Sequence, residues 1–265
     1  MSDAFSLIGR KALVTGGSSG IGRAIALGLA GQGADVAIHH LGDAAGAEAV
    51  CAEIRAAGRS AFVHECDFLR SGSIEGLVNA AVAQLGQVDI VIANAAIERR
   101  MDWLQIDRDH LADHMTANFA SLIRLCQLAT PPMAERGWGR VVAIGSVMAS
   151  RPRAETIAYA AMKSAQRTAI RAMAREVAHR GVTMNVVSPG AIETERTAGR
   201  YGVPAFRRAV VAKIPVRRPG VPQDCVGPVL LLCSDAASYV TGADIPVDGG
   251  WTIGDAPGAL PGEAA

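Results

Sequence analysis

In the stretch YAAMK, Tyr159 and Lys163 stand four positions apart, on one face if the segment is helical. A phenol can give or take a proton, but its ordinary pKa of about 10 is too high for a base near neutrality. An ammonium one helical turn away favours phenolate, so the pair reads as a general acid/base with its own pKa-lowering neighbour. Ser146 closes the apolar run RVVAIGS ahead of them. A small hydroxyl at a strand's carboxyl end can hydrogen-bond a substrate oxygen and steady a developing alkoxide. Asn118 lies inside the helical-looking HMTANFASLIRL, where asparagine is mildly unfavourable. Each has an ordinary reading beside it: an exposed Tyr–Lys pair, a turn serine, a helix-surface asparagine.

A second constellation is VTGGSSGIGRAIA, residues 14–26, with glycines at 16, 20 and 22 after an apolar run. Glycine permits positive φ and lets backbone approach a ligand without a Cβ clash. The helix that follows offers free N–H groups and a positive dipole end to an anion such as a pyrophosphate. The plain alternative is a tight strand-to-helix turn with no ligand.

The elements that must position these residues alternate along the chain. Strand-like runs span 11–15, 35–39, 60–65, 88–93, 139–145, 182–188 and 243–248, with helical stretches between them. Several helical stretches end at a glycine (Gly33, Gly58, Gly86, Gly181), as a C-cap with positive φ requires. The strands are continuous apolar runs, as in a parallel sheet covered on both faces. Alternation throughout predicts an α/β fold with a doubly wound parallel sheet. No linker or internal repeat divides the chain. The expected organisation is one dinucleotide-binding and catalytic domain over 1–253 with a flexible Pro/Gly/Ala-rich tail over 254–265.

Taken together, VTGGSSGIG, Asn94 in IANAA, Asn118, Ser146, the Tyr159/Lys163 pair, SPGAIET and YVTGADIPVDGG resemble the short-chain dehydrogenase/reductase superfamily in its single-domain form. The resemblance runs from about 11 to 250 and implies a Rossmann-type sheet of seven strands, order 3-2-1-4-5-6-7. It implies hydride transfer between nicotinamide and a secondary alcohol or ketone, with Tyr159 as general acid/base. Lys163 would also bind the nicotinamide ribose hydroxyls, and Asn118 would hold a water that relays protons to Lys163. Carried over by position, Gly16, Ser18, Ser19, Gly20, Ile21 and Gly22 meet the pyrophosphate, and Asp67 and Phe68 the adenine. Asn94 and Ala95 flank the adenosine; Pro189, Gly190, Ile192 and Thr194 shape the nicotinamide pocket. The chain departs from the family at Ala96, where a methyl stands in place of the usual glycine and narrows the local pocket.

Choice between NAD and NADP rests on the residues after the second strand. An acid there would bond the free ribose hydroxyls; an arginine would pair a 2′-phosphate. His40 and Leu41 supply neither. An unpaired phosphate loses more than a hydroxyl facing a neutral histidine, so the reading leans to NAD, with NADP admitted if His40 protonates. The substrate pocket is expected from Ala96, Glu98, Ser146, Met148, Thr156, Tyr159 and a lid over 192–206. With Glu98, Arg99 and Arg100 at the mouth, a sugar, polyol or hydroxy acid fits; with those turned to solvent, Met148, Trp103 and Ile192 suit a small cyclic alcohol or ketone. The block SRPRAETIAYAAMK resembles members acting on sugars. The alternative is an NADPH-dependent 3-oxoacyl-carrier ketoreductase, which calls for a basic patch toward its acidic carrier. A more remote alternative is a non-catalytic dinucleotide-binding sensor or scaffold.

Composition narrows the partners. The formal net charge of +1 gives no general attraction to nucleic acid or an acidic membrane. No run approaches the ~18 apolar residues of a membrane span. The five cysteines, odd in number and never spaced C-x-x-C, argue against a disulfide framework and fit a reducing cytoplasm. His110 and His114 have helical zinc spacing without a third ligand, so no metal is expected. The expected partner is a small molecule. Long alanine-rich helices suit close packing against a symmetry mate, and the family resemblance implies a homotetramer, with a dimer as the other state and Trp251 reaching a neighbouring subunit or its own core.

Overall fold

The computed structural model describes residues 4–254, so the expected tail lies outside the described residues apart from Gly254. Seven parallel strands make one sheet: β1 (Lys11–Thr15), β2 (Asp35–His40), β3 (Ala61–Glu65), β4 (Ile90–Ala93), β5 (Gly139–Ile144), β6 (Val182–Pro189) and β7 (Asp244–Val247). Their order is β3-β2-β1-β4-β5-β6-β7, as expected. The helices are α1 (Gly20–Gly31), α2 (Ala44–Ala56), α3 (Ser73–Leu85), α4 (Arg108–His114), α5 (Ser121–Glu135), α6 (Ile157–Val177), α7 (Ala198–Tyr201), α8 (Pro204–Val211) and α9 (Val226–Cys233). No helix of the described residues is long and apolar enough to cross a membrane.

Successive strand residues point to opposite faces. Ile90 and Ile92 pack under α1, α2 and α9, whereas Val91 and Ala93 pack under α3, α5 and α6. Both faces are apolar, so β4, β5 and β6 are buried along their whole length. That is why these runs show no alternation. The edge strand β7 is only half-buried and carries Pro246, which an edge tolerates because it need not donate to a further strand. A third small cluster, Tyr201, Val210 and Ile214 with Trp251 against it, roofs the carboxyl end of β6. Trp251 therefore packs on its own chain.

The strand order reverses between β1 and β4, opening a crevice at their carboxyl ends where ligands of such sheets sit. Between α4 and α5 the helix widens into one π-helical turn, Met115–Ala120, an insertion that recurs at functional sites. All four glycines expected at helix ends have positive φ. Gly181 (φ 75°) is the most constrained of them, since a Cβ would lie 2.0 Å from the Gly137 carbonyl oxygen. Gly58 (φ 76°) faces open space. Gly58→Ala is expected to cost about 1–2 kcal/mol of left-handed strain. Gly181→Ala is expected to cost several kcal/mol, because backbone must move as well. Urea unfolding of both variants, compared at equal m, measures the difference.

Candidate active site

A cavity of about 640 Å³ opens over this crevice. Gly16, Ser18, Ser19, Gly20, Ile21 and Gly22 form one wall. Ser19 caps α1 in an extended conformation with its hydroxyl unspent on the helix, and the first turn holds no acid. The N–H groups that a helix start leaves unpaired are thus free to face an anion. The glycines are required by contact: a Cβ on Gly22 would lie 2.0 Å from the Gly16 oxygen, and Gly16 itself has φ 63°. This cradle fits the pyrophosphate of a dinucleotide.

The end of the cavity where the adenosine is expected is walled by His39, His40, Leu41, Asp67, Phe68, Asn94 and Ala95. Phe68 stacks on His39 with ring centroids 4.4 Å apart. The His39 Nδ1 accepts the Gly16 N–H at 3.1 Å, and Nε2 donates to the Cys66 carbonyl at 2.9 Å. His39 therefore ties the glycine loop to the end of β3, and burial depresses its pKa to about 4. The buried His40 ring accepts the Asp43 N–H, and no carboxylate stands in its place.

At the other end Ser146, Met148, Tyr159 and Lys163 share the cavity with Pro189, Gly190, Ile192 and Thr194. The Ser146 hydroxyl accepts the Met148 N–H at 3.1 Å and favours the ionised form of Tyr159. Lys163 is 1% exposed and donates from Nζ to the Ile144 carbonyl at 2.6 Å. The expectation that Lys163 lowers the Tyr159 pKa does not hold in this geometry. Burial, reinforced by the Glu98 charge, pushes Tyr159 up to about 12; the downward pull comes from Ser146 and Arg196. Lys163 is brought down to about 7, by burial first and then by Arg196. Two buried groups without a carboxylate between them both resist charge, so the phenol keeps its proton.

Asn118 is fully buried in the π turn, which excludes the helix-surface reading. Its Oδ1 accepts the Ile97 N–H at 2.8 Å and its Nδ2 donates to the Ile97 carbonyl at 2.9 Å. The Asn118 carbonyl accepts a hydrogen bond from the Gln166 side-chain amide. That bond uses one lone pair of the Asn118 carbonyl and brings to this spot a side chain, Gln166, that sequence reasoning passed over. Thr156 is a second correction. It is buried in a 3-10 turn with its hydroxyl bonded to the Arg153 carbonyl, and it does not line the cavity; Arg153 does.

Glu98, Arg99 and Arg100 all line the mouth, whereas the exposed Trp103 does not. Arg99 pairs with Asp113, and Arg100 with Glu155 at 3.0 Å. From the lid, Arg196 and Arg200 also line the cavity, exposed and in no ion pair among the described residues. His110 and His114 stack on each other, and His114 spends both ring nitrogens on backbone, Nδ1 on the His110 carbonyl and Nε2 on the Arg99 N–H.

Residues 16–252 match the family model described as "Enoyl-(Acyl carrier protein) reductase". The chain belongs to the short-chain dehydrogenase/reductase superfamily. It is 39% identical to the 3-oxoacyl-[acyl-carrier-protein] reductase FabG of Pseudomonas aeruginosa, over 92% of this chain and 98% of that one. A 3-oxoacyl (acyl-carrier-protein) reductase structure from Agrobacterium tumefaciens with NADP bound is 38% identical, with a TM-score of 0.89, covering 93% and 95% of the two chains. A candidate NAD(P)-dependent gluconate 5-dehydrogenase from Beutenbergia cavernae, with NADP at low occupancy, is 36% identical at TM-score 0.88, covering 95% and 100%.

This member of the superfamily is an NAD(P)-dependent oxidoreductase. Its sequence motifs led to the glycine cradle and to Ser146, Tyr159 and Lys163; they did not lead to His39, Arg153 or Trp251 as lining of the same cavity, nor to Gln166, which bonds the Asn118 carbonyl. His39 was legible only as one of a histidine pair, since its role depends on β3 lying beside β2. Its lowered pKa has a measurable consequence. The unfolded chain takes up the proton near pH 6.5, the folded one only near 4, so this part of the stability is present above 6.5 and lost as pH falls toward 4. The loss is expected to reach about 3 kcal/mol. Burial of His114 acts in the same direction. Comparing His39→Gln with the native chain in urea from pH 7 to 4 isolates the His39 share, and the variant should show the flatter slope.

Proposed function

We propose that this enzyme is an NADP(H)-dependent ketoreductase of 3-oxoacyl groups presented as thioesters on an acidic carrier. The observation that carries this reading is the arginine-lined mouth above a proton-loaded Tyr159, with Arg196 and Arg200 left without carboxylate partners among the described residues. A basic rim suits an acidic carrier and the phosphate of a pantetheine arm. A phenol held neutral is an acid, which reduction needs. The names of the relatives support the carrier-linked reading over a sugar, polyol or small cyclic alcohol, and the Trp103 wall that would have suited a cyclic alcohol faces away. The NADP found in related structures favours NADP over the lean to NAD, and the absence of an acid at the end of β2 leaves room for a 2′-phosphate beside His40, Ser18 and Ser19.

When bound, the dinucleotide supplies the hydride. The chain's own residues do the rest: Ser146 hydrogen-bonds the ketone oxygen, Tyr159 delivers the proton to it, and Lys163 steadies the site from below. The cradle orients the dinucleotide through backbone N–H groups, and the lid excludes water. Exposed apolar side chains at Leu104, Leu111, Met115 and Ile157, on or beside α4 and α6, support assembly as a homotetramer or dimer.

A second reading is favoured by one observation. Glu98, half-buried at the mouth, offers acceptors to hydroxyls while the arginines take a carboxylate, which suits oxidation of a sugar acid, as the gluconate dehydrogenase relative suggests. NADPH oxidation with the acetoacetyl thioesters of CoA and of uncharged N-acetylcysteamine, beside NADP⁺ reduction with gluconate, separates the two. Turnover of both thioesters is expected, with the CoA thioester preferred. Silence on thioesters with turnover of gluconate would replace the first reading by the second. Tyr159→Phe should lower turnover by about 10²–10⁴-fold with dinucleotide affinity unchanged. Arg200→Ala should raise KM about tenfold for the CoA thioester only, an effect that added salt erases in the native enzyme.

A further inference from the structure

Gln166 is 2% exposed, three positions beyond Lys163 on α6 and so on the same helical face. Its side-chain amide donates to the Asn118 carbonyl. A carbonyl oxygen only accepts, so the nitrogen of the carboxamide must face Asn118 and the orientation of the group is fixed. The oxygen Oε1 then points the other way, buried and without a hydrogen-bond partner. A buried acceptor left unpaired costs about 1–3 kcal/mol, so its retention asks for a ligand or a bound water.

The group best placed to satisfy it is one turn away. Lys163 carries three N–H donors, and the structure occupies one of them, on Ile144. Lys163 and Gln166 share one helical face and no direct bond joins them; a water held between Nζ and Oε1 would find a polar partner on each side. The charged and titratable groups that face this spot from the packed elements are few. Tyr159 lies one turn earlier on α6, Arg196 acts on Lys163 from the lid, and Glu98 acts on Tyr159 from the segment after β4. None of them supplies Lys163 with a carboxylate; Gln166 supplies an acceptor without adding charge.

We propose that Gln166 is a positioning residue for Lys163: its Oε1 holds one ammonium proton across a bridging water, while its nitrogen ties α6 to the π turn at Asn118. The assignment needs no particular substrate and stands apart from the ketoreductase reading. A neutral acceptor here keeps the ammonium form accessible near neutrality without creating a buried ion pair that would fix it there. It also explains why a helix interior carries a polar side chain where packing alone would take leucine or methionine.

The chain has only three lysines, Lys11, Lys163 and Lys213, which makes a direct test practical. Trace acetylation with acetic anhydride from pH 5 to 10, read by peptide mass with exposed Lys213 as internal reference, gives the titration midpoint of Lys163 without any turnover. In the native chain the midpoint is expected near 7. Gln166→Met and Gln166→Leu remove the acceptor and should leave Lys163 about tenfold less protonated at a given pH, a midpoint lower by about one unit. Gln166→Glu puts a carboxylate in the same place and should raise the midpoint by about two units. Opposite shifts in the apolar and acidic variants support the proposal. An unchanged midpoint in any variant that folds overturns it, even where thermal stability drops, because a purely structural glutamine would move the melting temperature alone. Should neither apolar variant fold, the Glu variant decides.

Discussion

At the carboxyl ends of β1 and β4 one hydroxyl holds the crevice open at a set width. Thr15 Oγ1 donates to the Ile92 carbonyl at 3.2 Å and accepts the N–H groups of Asn94 at 2.9 Å and Ala95 at 3.0 Å. That exhausts what a hydroxyl can offer. Asn94 returns the contact, donating from Nδ2 to the carbonyls of Thr15 and Gly16. The splice sets the height of the glycine loop over the sheet, and with it the 2.0 Å margin that admits no side chain on Gly22. Without the hydroxyl, the half-buried Ala95 N–H would lose its partner, and the Asn94 N–H would keep only the Ile92 carbonyl, at a cost of about 1–3 kcal/mol for the group left unpaired. The loop and the segment leading to Glu98 would then drift independently. The phosphate cradle and the substrate mouth are thus two ends of one joint.

The catalytic end is governed by a different constraint, the burial of Tyr159 and Lys163 without an acid between them. In water near neutrality the lysine would be charged and the phenol neutral; burial holds the phenol neutral more firmly and brings the amine down toward neutrality. A neutral phenol beside an amine that titrates near neutrality is a proton donor with a reservoir behind it. The Ile144 carbonyl fixes the amine at the end of β5, next to Ser146 on the same strand exit. Position is therefore set by the sheet, while protonation is set by what surrounds the pair.

How much of this could be read from the chain follows from the range of each interaction. Strand runs and helix-ending glycines were legible, because buried parallel strands and positive-φ caps leave local marks, whereas the sheet order came from the family resemblance alone. Ser146, Tyr159 and Lys163 were legible as a pattern of types and spacings. What was not legible depends on contacts between distant segments. The Gln166–Asn118 bond spans 48 positions, and the link from His39 to Gly16 and Cys66 joins three elements. Thr156 was misplaced because a 3-10 turn, whose twist no single residue announces, rotates it inward and brings Arg153 to the cavity instead. The pKa of Tyr159 was misjudged in the same way. Spacing puts the lysine on the right face but says nothing of how deeply both groups are buried.

The arginines divide by partner in a way that bears on how substrate binding and proton transfer connect. Arg207 grips Glu193 through both carboxylate oxygens at 2.6 and 2.7 Å, and Thr197 bonds the carbonyls of Ile192 and Thr194, so the base of the lid is framed internally. Exposed pairs of this kind contribute little stability, about 0–1 kcal/mol, and their effect is to shape the loop. Arg196 stands in the same segment with no such partner among the described residues, and its charge is felt by both Tyr159 and Lys163. An anionic group entering the mouth would neutralise that charge. The pull on Tyr159 toward phenolate would weaken, and the downward pressure on Lys163 would ease. Both changes leave protons on the site at the moment the substrate arrives. On the proposed ketoreductase reading, an anion is then more than a handle for recognition: its binding would load the acid that reduction consumes.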